Sequence, residues 1–155
     1  MRFIGNKESI VEEIESFIDS KIAPDDRLVL FDAFCGTGSV SDRLKNRFNV
    51  VINDNLKWAT VYTAGRLYAP VCRFEGLGFD PFDFLNQSCN ETHGFIYKTY
   101  APTESDRMYF TPENAARIDY FRNQIEEWYI SKLLTESEYM FLLACLIESV
   151  SKVSN

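Results

Sequence analysis

Leu28-Val29-Leu30-Phe31-Asp32-Ala33-Phe34-Cys35-Gly36-Thr37-Gly38-Ser39-Val40 is the stretch whose reading decides the fold. An apolar run ends in a carboxylate, a turn with two glycines follows, and a helix-compatible segment opens at Ser39. This is how a buried parallel strand hands over to a helix N-terminus, with glycine where backbone must pass close to a ligand. Further on, Val50-Val51-Ile52-Asn53-Asp54 repeats the pattern, an apolar strand closing on an acid. Two strand tips in one sheet, each bearing a carboxylate, suit a nucleoside whose ribose hydroxyls need acceptors.

The flanking segments agree with an alternating α/β chain. Upstream, Ile10, Ile14, Phe17 and Ile18 recur at helical spacing from about Ser9 to Lys21, with Glu12, Glu13, Glu15 and Asp19 on the other face. Strands are expected over 27–33 and 50–53, and helices over 39–48 and 56–68, the latter carrying Trp58, Val61, Tyr62 and Leu67 and stopped by Pro70. Strand–helix–strand–helix in one sheet implies right-handed parallel crossovers. From Val71 to Met108 the pattern loosens into an aromatic-rich connection punctuated by Gly76, Gly78, Pro81, Gly94 and Pro102. In this connection Asp80-Pro81-Phe82 reads as a turn and Gly94-Phe95-Ile96-Tyr97 as a short strand. Its aromatics either pack it onto the domain or form a ligand or partner surface.

Order returns at Thr111, an N-cap with Pro112 at the first helical position, opening a helix to about Lys132. Thr135-Glu136-Ser137-Glu138 is a capping box that opens a last helix. Tyr139, Leu142, Leu143, Leu146, Ile147 and Val150 face inward there, and Phe141, Ala144 and Cys145 widen the apolar face to most of the circumference. A helix this apolar is expected to be covered on more than one side.

The chain has 155 residues, the length of one domain (1–155), with 46% hydrophobic and 15% aromatic content, enough for a packed core. No run reaches the roughly 18 apolar residues of a membrane span, and the start of the chain does not read as a signal peptide. Cys35, Cys72, Cys89 and Cys145 have no paired spacing and His93 is the single histidine, so neither a zinc site nor a disulfide framework is expected. A reduced, cytoplasmic setting fits. The net charge of −7, from 23 acids against 16 bases, is the wrong sign for a surface that grips phosphates unaided. Any DNA contact is therefore expected to be local or supplied by another chain.

The glycine turn is neither of two common phosphate cradles. A P-loop needs a Lys-Ser/Thr pair after its second glycine, where Ser39-Val40 stands. A dinucleotide fingerprint needs a third glycine at position 41, which is Ser41. What remains is Asp-x-Phe-x-Gly-x-Gly at a strand end.

Arg2-Phe3-Ile4-Gly5-Asn6-Lys7, Asp32-Ala33-Phe34-Cys35-Gly36-Thr37-Gly38 and Asn53-Asp54, in that order, resemble three motifs of the Dam-like adenine-specific DNA methyltransferases. The stretches 94–102, 107–114 and 142–155 also look like segments between that family's acidic motif and its catalytic one. The resemblance covers nearly the whole chain. It implies a partial Rossmann-like class I methyltransferase fold, α/β with an incomplete parallel sheet and additional C-terminal helices. It also implies S-adenosylmethionine as cofactor. By position, Lys7 would reach the carboxylate of the methionine moiety and Asp32 would lie near its amino group. Phe34, Gly36 and Gly38 would shape the cradle, with Phe3, Cys35 and Thr37 completing the cofactor-binding set, and Asp54 would accept from the ribose hydroxyls. Two plainer readings stand beside these: Gly5-Asn6-Lys7 as a turn with a solvated lysine, and Asp54 as an N-cap ahead of Leu56.

The family transfers its methyl group with an Asp/Asn-Pro-Pro-Tyr/Phe tetrad that grips the flipped adenine. That tetrad is absent from this sequence. The resemblance thus implies the methyl-donor half of a DNA adenine methyltransferase, inactive alone. A second polypeptide would bring the catalytic motif and most DNA contacts, or the chain would be a shortened product, or it would associate with itself through the apolar last helix. A non-catalytic interaction or regulatory module on a Rossmann-like scaffold is the alternative.

Overall fold

The computed structural model describes residues 7–23 and 28–154. Within them run α1 (Val11–Lys21), β1 (Val29–Asp32), α2 (Ser39–Leu44), β2 (Asn49–Ile52) and α3 (Lys57–Tyr68). They are followed by α4 (Pro81–Gln87), α5 (Phe95–Tyr100), α6 (Pro112–Ile130) and α7 (Glu136–Val153), with a 3-10 turn, Ala69–Val71, closing α3. The fold is mixed α/β: seven α-helices and a small parallel sheet of two strands among the described residues, a partial methyltransferase fold.

The sheet is the expected crossover. β1 and β2 pair in parallel with Val29 opposite Asn49 and Asp32 opposite Ile52, so both strands end at one edge. α2 packs on both strands and α3 on β2, with α1 laid along α2. The α1–α2 contact is electrostatic at its rim, where Arg43 meets Glu15 at 2.7 Å and Arg47 meets Asp19.

The main core lies away from the sheet. Leu77, Leu85, Ile125, Trp128, Leu134 and Leu142 cluster between α4, α6 and α7, and Ala101, Phe110, Ala115 and Ile118 form a second cluster under α5. The apolar circumference of α7 is answered inside the chain: α3 packs along one side and α6 along another. Tyr62 of α3 donates its hydroxyl to Glu148 of α7 at 2.6 Å. Burial, then that carboxylate, pushes the phenol up to about 12, so it stays a donor at neutral pH.

The close approach of α3 and α7 depends on Gly65. A Cβ there would stand 2.3 Å from the Ala144 Cβ and 2.8 Å from the Met140 carbonyl oxygen, with no side-chain end to swing away. Gly65→Ala gains helix propensity but forces the helices apart, and overpacking of this kind costs about 2 kcal/mol net. The check is a lower urea midpoint at unchanged m-value.

Two expectations are corrected. Gly94-Phe95-Ile96-Tyr97 is not a strand but the start of α5. The side chain of Asp119 on α6 accepts from the N–H groups of Gly94 (3.1 Å), Ile96 (3.0 Å) and Tyr97 (2.8 Å), so a buried carboxylate from another element satisfies donors that a helix start leaves open. Asp80-Pro81-Phe82 is not a turn but the N-terminus of α4. Asp80 Oδ1 accepts from Phe82 N–H (2.7 Å) and Asp83 N–H (3.1 Å), and Pro81 takes the first helical position. The expected caps at Thr111 and Thr135 are present, the second as a full capping box with Glu138.

Candidate functional site

The site forms where β1 and β2 end together. Beyond Asp32 the chain turns through Ala33 and Phe34, and the Phe34 ring is 86% exposed at the strand tip. The Cys35 N–H then donates to the Asn53 carbonyl (2.9 Å), which continues the ladder one step past the sheet. Its carbonyl accepts from Gly38 N–H (2.7 Å), closing a tight turn. Gly36 and Gly38 have φ of +52° and +76°, the left-handed region that glycine adopts without the steric cost of a Cβ.

The turn is held from both strands and from α3. Gly36 N–H donates to Asp54 Oδ2 at 2.9 Å, so the acid on the tip of β2 is bonded directly to the glycine loop of β1. Asp54 Oδ1 accepts from Leu56 N–H at 2.9 Å. These backbone donors, Leu56 first and Gly36 second, hold the Asp54 carboxyl below the usual carboxylate range, leaving it ionised at neutral pH. Asn53 Nδ2 donates to the Ala33 carbonyl at 3.0 Å, and the Ser41 hydroxyl donates to Asp32 Oδ2 at 2.6 Å. Thr63, fully buried on α3, donates to the Gly36 carbonyl at 3.1 Å. One turn along α3, Arg66 donates to the Thr37 carbonyl at 2.9 Å and pairs with Asp42 at 2.7 Å. Burial would raise the Asp42 carboxyl, but Lys45 and Arg66 outweigh it and hold it low.

Asp32, Phe34, Cys35, Gly36, Thr37, Gly38 and Asp54 therefore lie together at the carboxyl ends of the strands, with Cys35, Thr37 and Gly38 buried there. Phe3 lies outside the described residues. Lys7 is exposed ahead of α1; its neighbour Glu8 pairs with Arg66 at 3.4 Å, and Arg66 in turn bonds Thr37. The start of α1 thus reaches the loop through one arginine.

Ser41, Asn53, Thr63 and Arg66 were not legible as site residues. The spacing of Thr63 and Arg66, three apart on the helix after an acidic strand tip, is the signal that could have found them.

Chemically the strand ends offer two carboxylate acceptors and an exposed aromatic ring. Burial pushes the Cys35 thiol up, against a hydrogen bond with Thr63, and the charges of Asp32 and Asp54 raise it further, which favours the protonated thiol. No cluster of three or more metal-ligating side chains occurs among the described residues. No helix among them is long and apolar enough to cross a membrane.

A glycine turn on the first strand, bonded to an acid on its parallel neighbour, is the strand-end arrangement of a Rossmann-like domain. The chain belongs to the D12 class N6 adenine-specific DNA methyltransferase family, whose model matches residues 3–155. It is similar to modification methylase LlaI of Lactococcus lactis subsp. lactis, 36% identical over the whole of this chain and 26% of that protein. Type II methyltransferase M.FokI of Planomicrobium okeanokoites is 34% identical over the whole chain and 25% of its own length. Type II methyltransferase M.NlaIII of Neisseria lactamica is 32% identical over the whole chain and 46% of its own length. The chain thus spans 25% to 46% of the length of these relatives. No solved structure gives a significant match.

Proposed function

We propose that the chain is the S-adenosylmethionine-binding part of a site-specific DNA adenine methyltransferase, which methylates the exocyclic amino group of adenine. Transfer needs an Asp/Asn-Pro-Pro-Tyr/Phe motif, which these 155 residues do not contain, so by themselves they bind the donor without delivering its methyl group. The observation that carries the reading is the bond from Gly36 N–H to the Asp54 carboxylate, which fixes glycine loop and acid as one unit.

The residues present fit the donor. Asp54 accepts from the backbone of Leu56, Gly36 and Asn55, and with about four acceptor directions on its two oxygens it keeps one for a ribose hydroxyl. The left-handed Gly36 and Gly38 set the tight turn that ends beside Asp54, and the exposed Phe34 ring gives an apolar wall. When bound, S-adenosylmethionine supplies a methyl group activated by its sulfonium charge. Asp32 and Lys7 would hold the amino and carboxylate ends of the methionine moiety, while Phe3, Cys35 and Thr37 line the cradle. The acidic balance of these residues leaves most phosphate contacts to polypeptide outside them.

Calorimetry with S-adenosylmethionine or its demethylated product tests the reading. Losing a charged hydrogen-bond acceptor or a paired cation costs about 1.5–3 kcal/mol, so Asp54→Ala and Lys7→Ala are each expected to weaken binding by about tenfold or more. Unchanged affinity in both would sink the site assignment. Methylation of DNA by these 155 residues would overturn the reading that they lack the catalytic apparatus.

One observation favours the second reading, a non-catalytic interaction module. Both Asp54 oxygens already serve backbone donors, as a purely structural acid would. That module has no donor affinity at all, and the same calorimetry separates the two.

A further inference from the structure

The guanidinium of Arg66 joins three parts of the chain that are distant in sequence. Its Nη1 donates to the Thr37 carbonyl of the glycine loop at 2.9 Å and meets Glu8 Oε1 at 3.4 Å. Its Nη2 donates to Asp42 Oδ2 at 2.7 Å, on the helix that follows the loop. Arginine suits this place because its planar fork presents several donors in fixed directions, which a lysine ammonium does not. The loop is thereby held from α3 at two successive carbonyls, Gly36 by Thr63 at 3.1 Å and Thr37 by Arg66. Lys45 steadies the arrangement: its ammonium donates to the Arg66 carbonyl at 3.3 Å and pairs with Asp42 at 2.7 Å.

Glu8 carries the connection to the start of α1. The Lys7 carbonyl accepts from Ile10 N–H at 3.1 Å, so Lys7 and Glu8 belong to the turn that opens the helix. The ion pairs from α1 to α2, Glu15 with Arg43 and Asp19 with Arg47, lie about two and three turns further along. The contact of Glu8 with Arg66 therefore ties this first turn, and Lys7 with it, to the guanidinium that pins the glycine loop.

We infer that Arg66 is a positioning residue for the methyl donor, acting through Glu8 and Thr37 to fix the place of Lys7 relative to the glycine loop. The inference rests on the proposed function above, in which Lys7 and the loop hold one ligand between them. Two groups that grip one ligand bind it well only while their separation is fixed beforehand, because ordering a loose group is a cost of binding.

Calorimetry of the 155-residue chain with the demethylated product of S-adenosylmethionine tests this through coupling as well as loss. Arg66→Ala is expected to weaken binding by about tenfold, the loss of a charged hydrogen bond to the loop. Lys7→Ala, which costs about tenfold in the unaltered chain, is expected to cost about threefold or less once Arg66 is alanine. Arg66→Lys keeps the charge without the fork and should fall between the unaltered chain and Arg66→Ala. A residue that only supports the fold would leave the Lys7→Ala loss the same in both backgrounds. Glu8→Gln gives a second reading from an exposed side chain, should Arg66→Ala fail to fold: binding weaker by about threefold, and a smaller penalty for Lys7→Ala. Losses that simply multiply, or a Lys7→Ala variant that binds as the unaltered chain does, would overturn the inference while leaving donor binding in place. So would unchanged affinity in both Arg66→Ala and Glu8→Gln. No binding by the unaltered chain would sink the donor reading itself, and the inference with it.

Discussion

Gly38→Ala is expected to lower the unfolding free energy by about 3 kcal/mol and to weaken methyl-donor binding by at least about tenfold. Two separate costs add at this position. The residue sits at φ +76°, where an L side chain pays about 1 kcal/mol. A Cβ would also lie 2.6 Å from Thr63 Cγ2 and 2.8 Å from Thr63 Oγ1. Thr63 cannot yield, being fully buried with its hydroxyl committed to the Gly36 carbonyl. Either the loop lifts off α3 or α3 shifts, and both move the backbone that the donor is proposed to lie against.

Gly78 supplies the control. Its φ is +71°, yet nothing lies within 4 Å of the Cβ position. Gly78→Ala should therefore show only the backbone cost of about 1 kcal/mol and no change in donor affinity. Urea unfolding of the two variants separates strain from steric contact. Equal losses would mean that the Thr63 contact contributes nothing.

The same contrast explains how much could be read from the sequence. The glycine turn, its flanking acid and Asp54 were legible because each is a local pattern: strand, turn residue and carboxylate within a few positions. The caps at Thr111 and Thr135 were legible for the same reason. Asp80-Pro81 has the same cap-then-proline grammar as Thr111-Pro112 and opens a helix just as that pair does; the surrounding aromatics and glycines made it read as a turn.

What stayed hidden depends on partners distant along the chain. α5 has no cap of its own, and its start is satisfied by Asp119 on α6. Gly65 in mid-helix reads as a weak point in isolation and is in fact the contact that lets α7 close on α3. The sequence pointed to α7 as the unpartnered apolar surface. α3 and α6 pack along two sides of that helix, while the sheet, whose strands read as buried on both sides, keeps Val29, Phe31 and Val51 exposed. Phe74 belongs to the same group. Nothing local predicts that a phenylalanine will hold φ +58°, a strained setting for a bulky residue.

Phe74 leads to the second large effect. Glu138→Ala is expected to cost about 4 kcal/mol, because this one buried carboxylate serves several donors that would be left without a partner. Its Oε1 accepts from the N–H groups of Arg73 (3.1 Å) and Phe74, and its Oε2 from the N–H (3.0 Å) and hydroxyl (2.9 Å) of Thr135. It therefore caps α7 and at the same time ties the strained segment after α3 onto that cap. With Phe74 held, its ring packs against Phe82 of α4 and Phe141 of α7. Removing the carboxylate frees the strained backbone and loosens that aromatic contact.

The effect has a pH signature. Burial alone would raise the Glu138 carboxyl, but the bonds from Thr135, Phe74 and Arg73 outweigh it and hold the folded value below the ordinary 4.5. A carboxyl lowered on folding contributes stability that is fully present above its unfolded value and fades as pH falls through the folded one. The unaltered chain should thus lose stability as pH drops below about 4.5, and Glu138→Gln should lose less over the same interval while starting lower at neutral pH. Urea midpoints from pH 7 to 3 read both. Equal acid slopes in the two proteins would assign the sensitivity elsewhere, to Asp42, Asp54, Glu126 and Glu148, the other carboxyls held low in the fold.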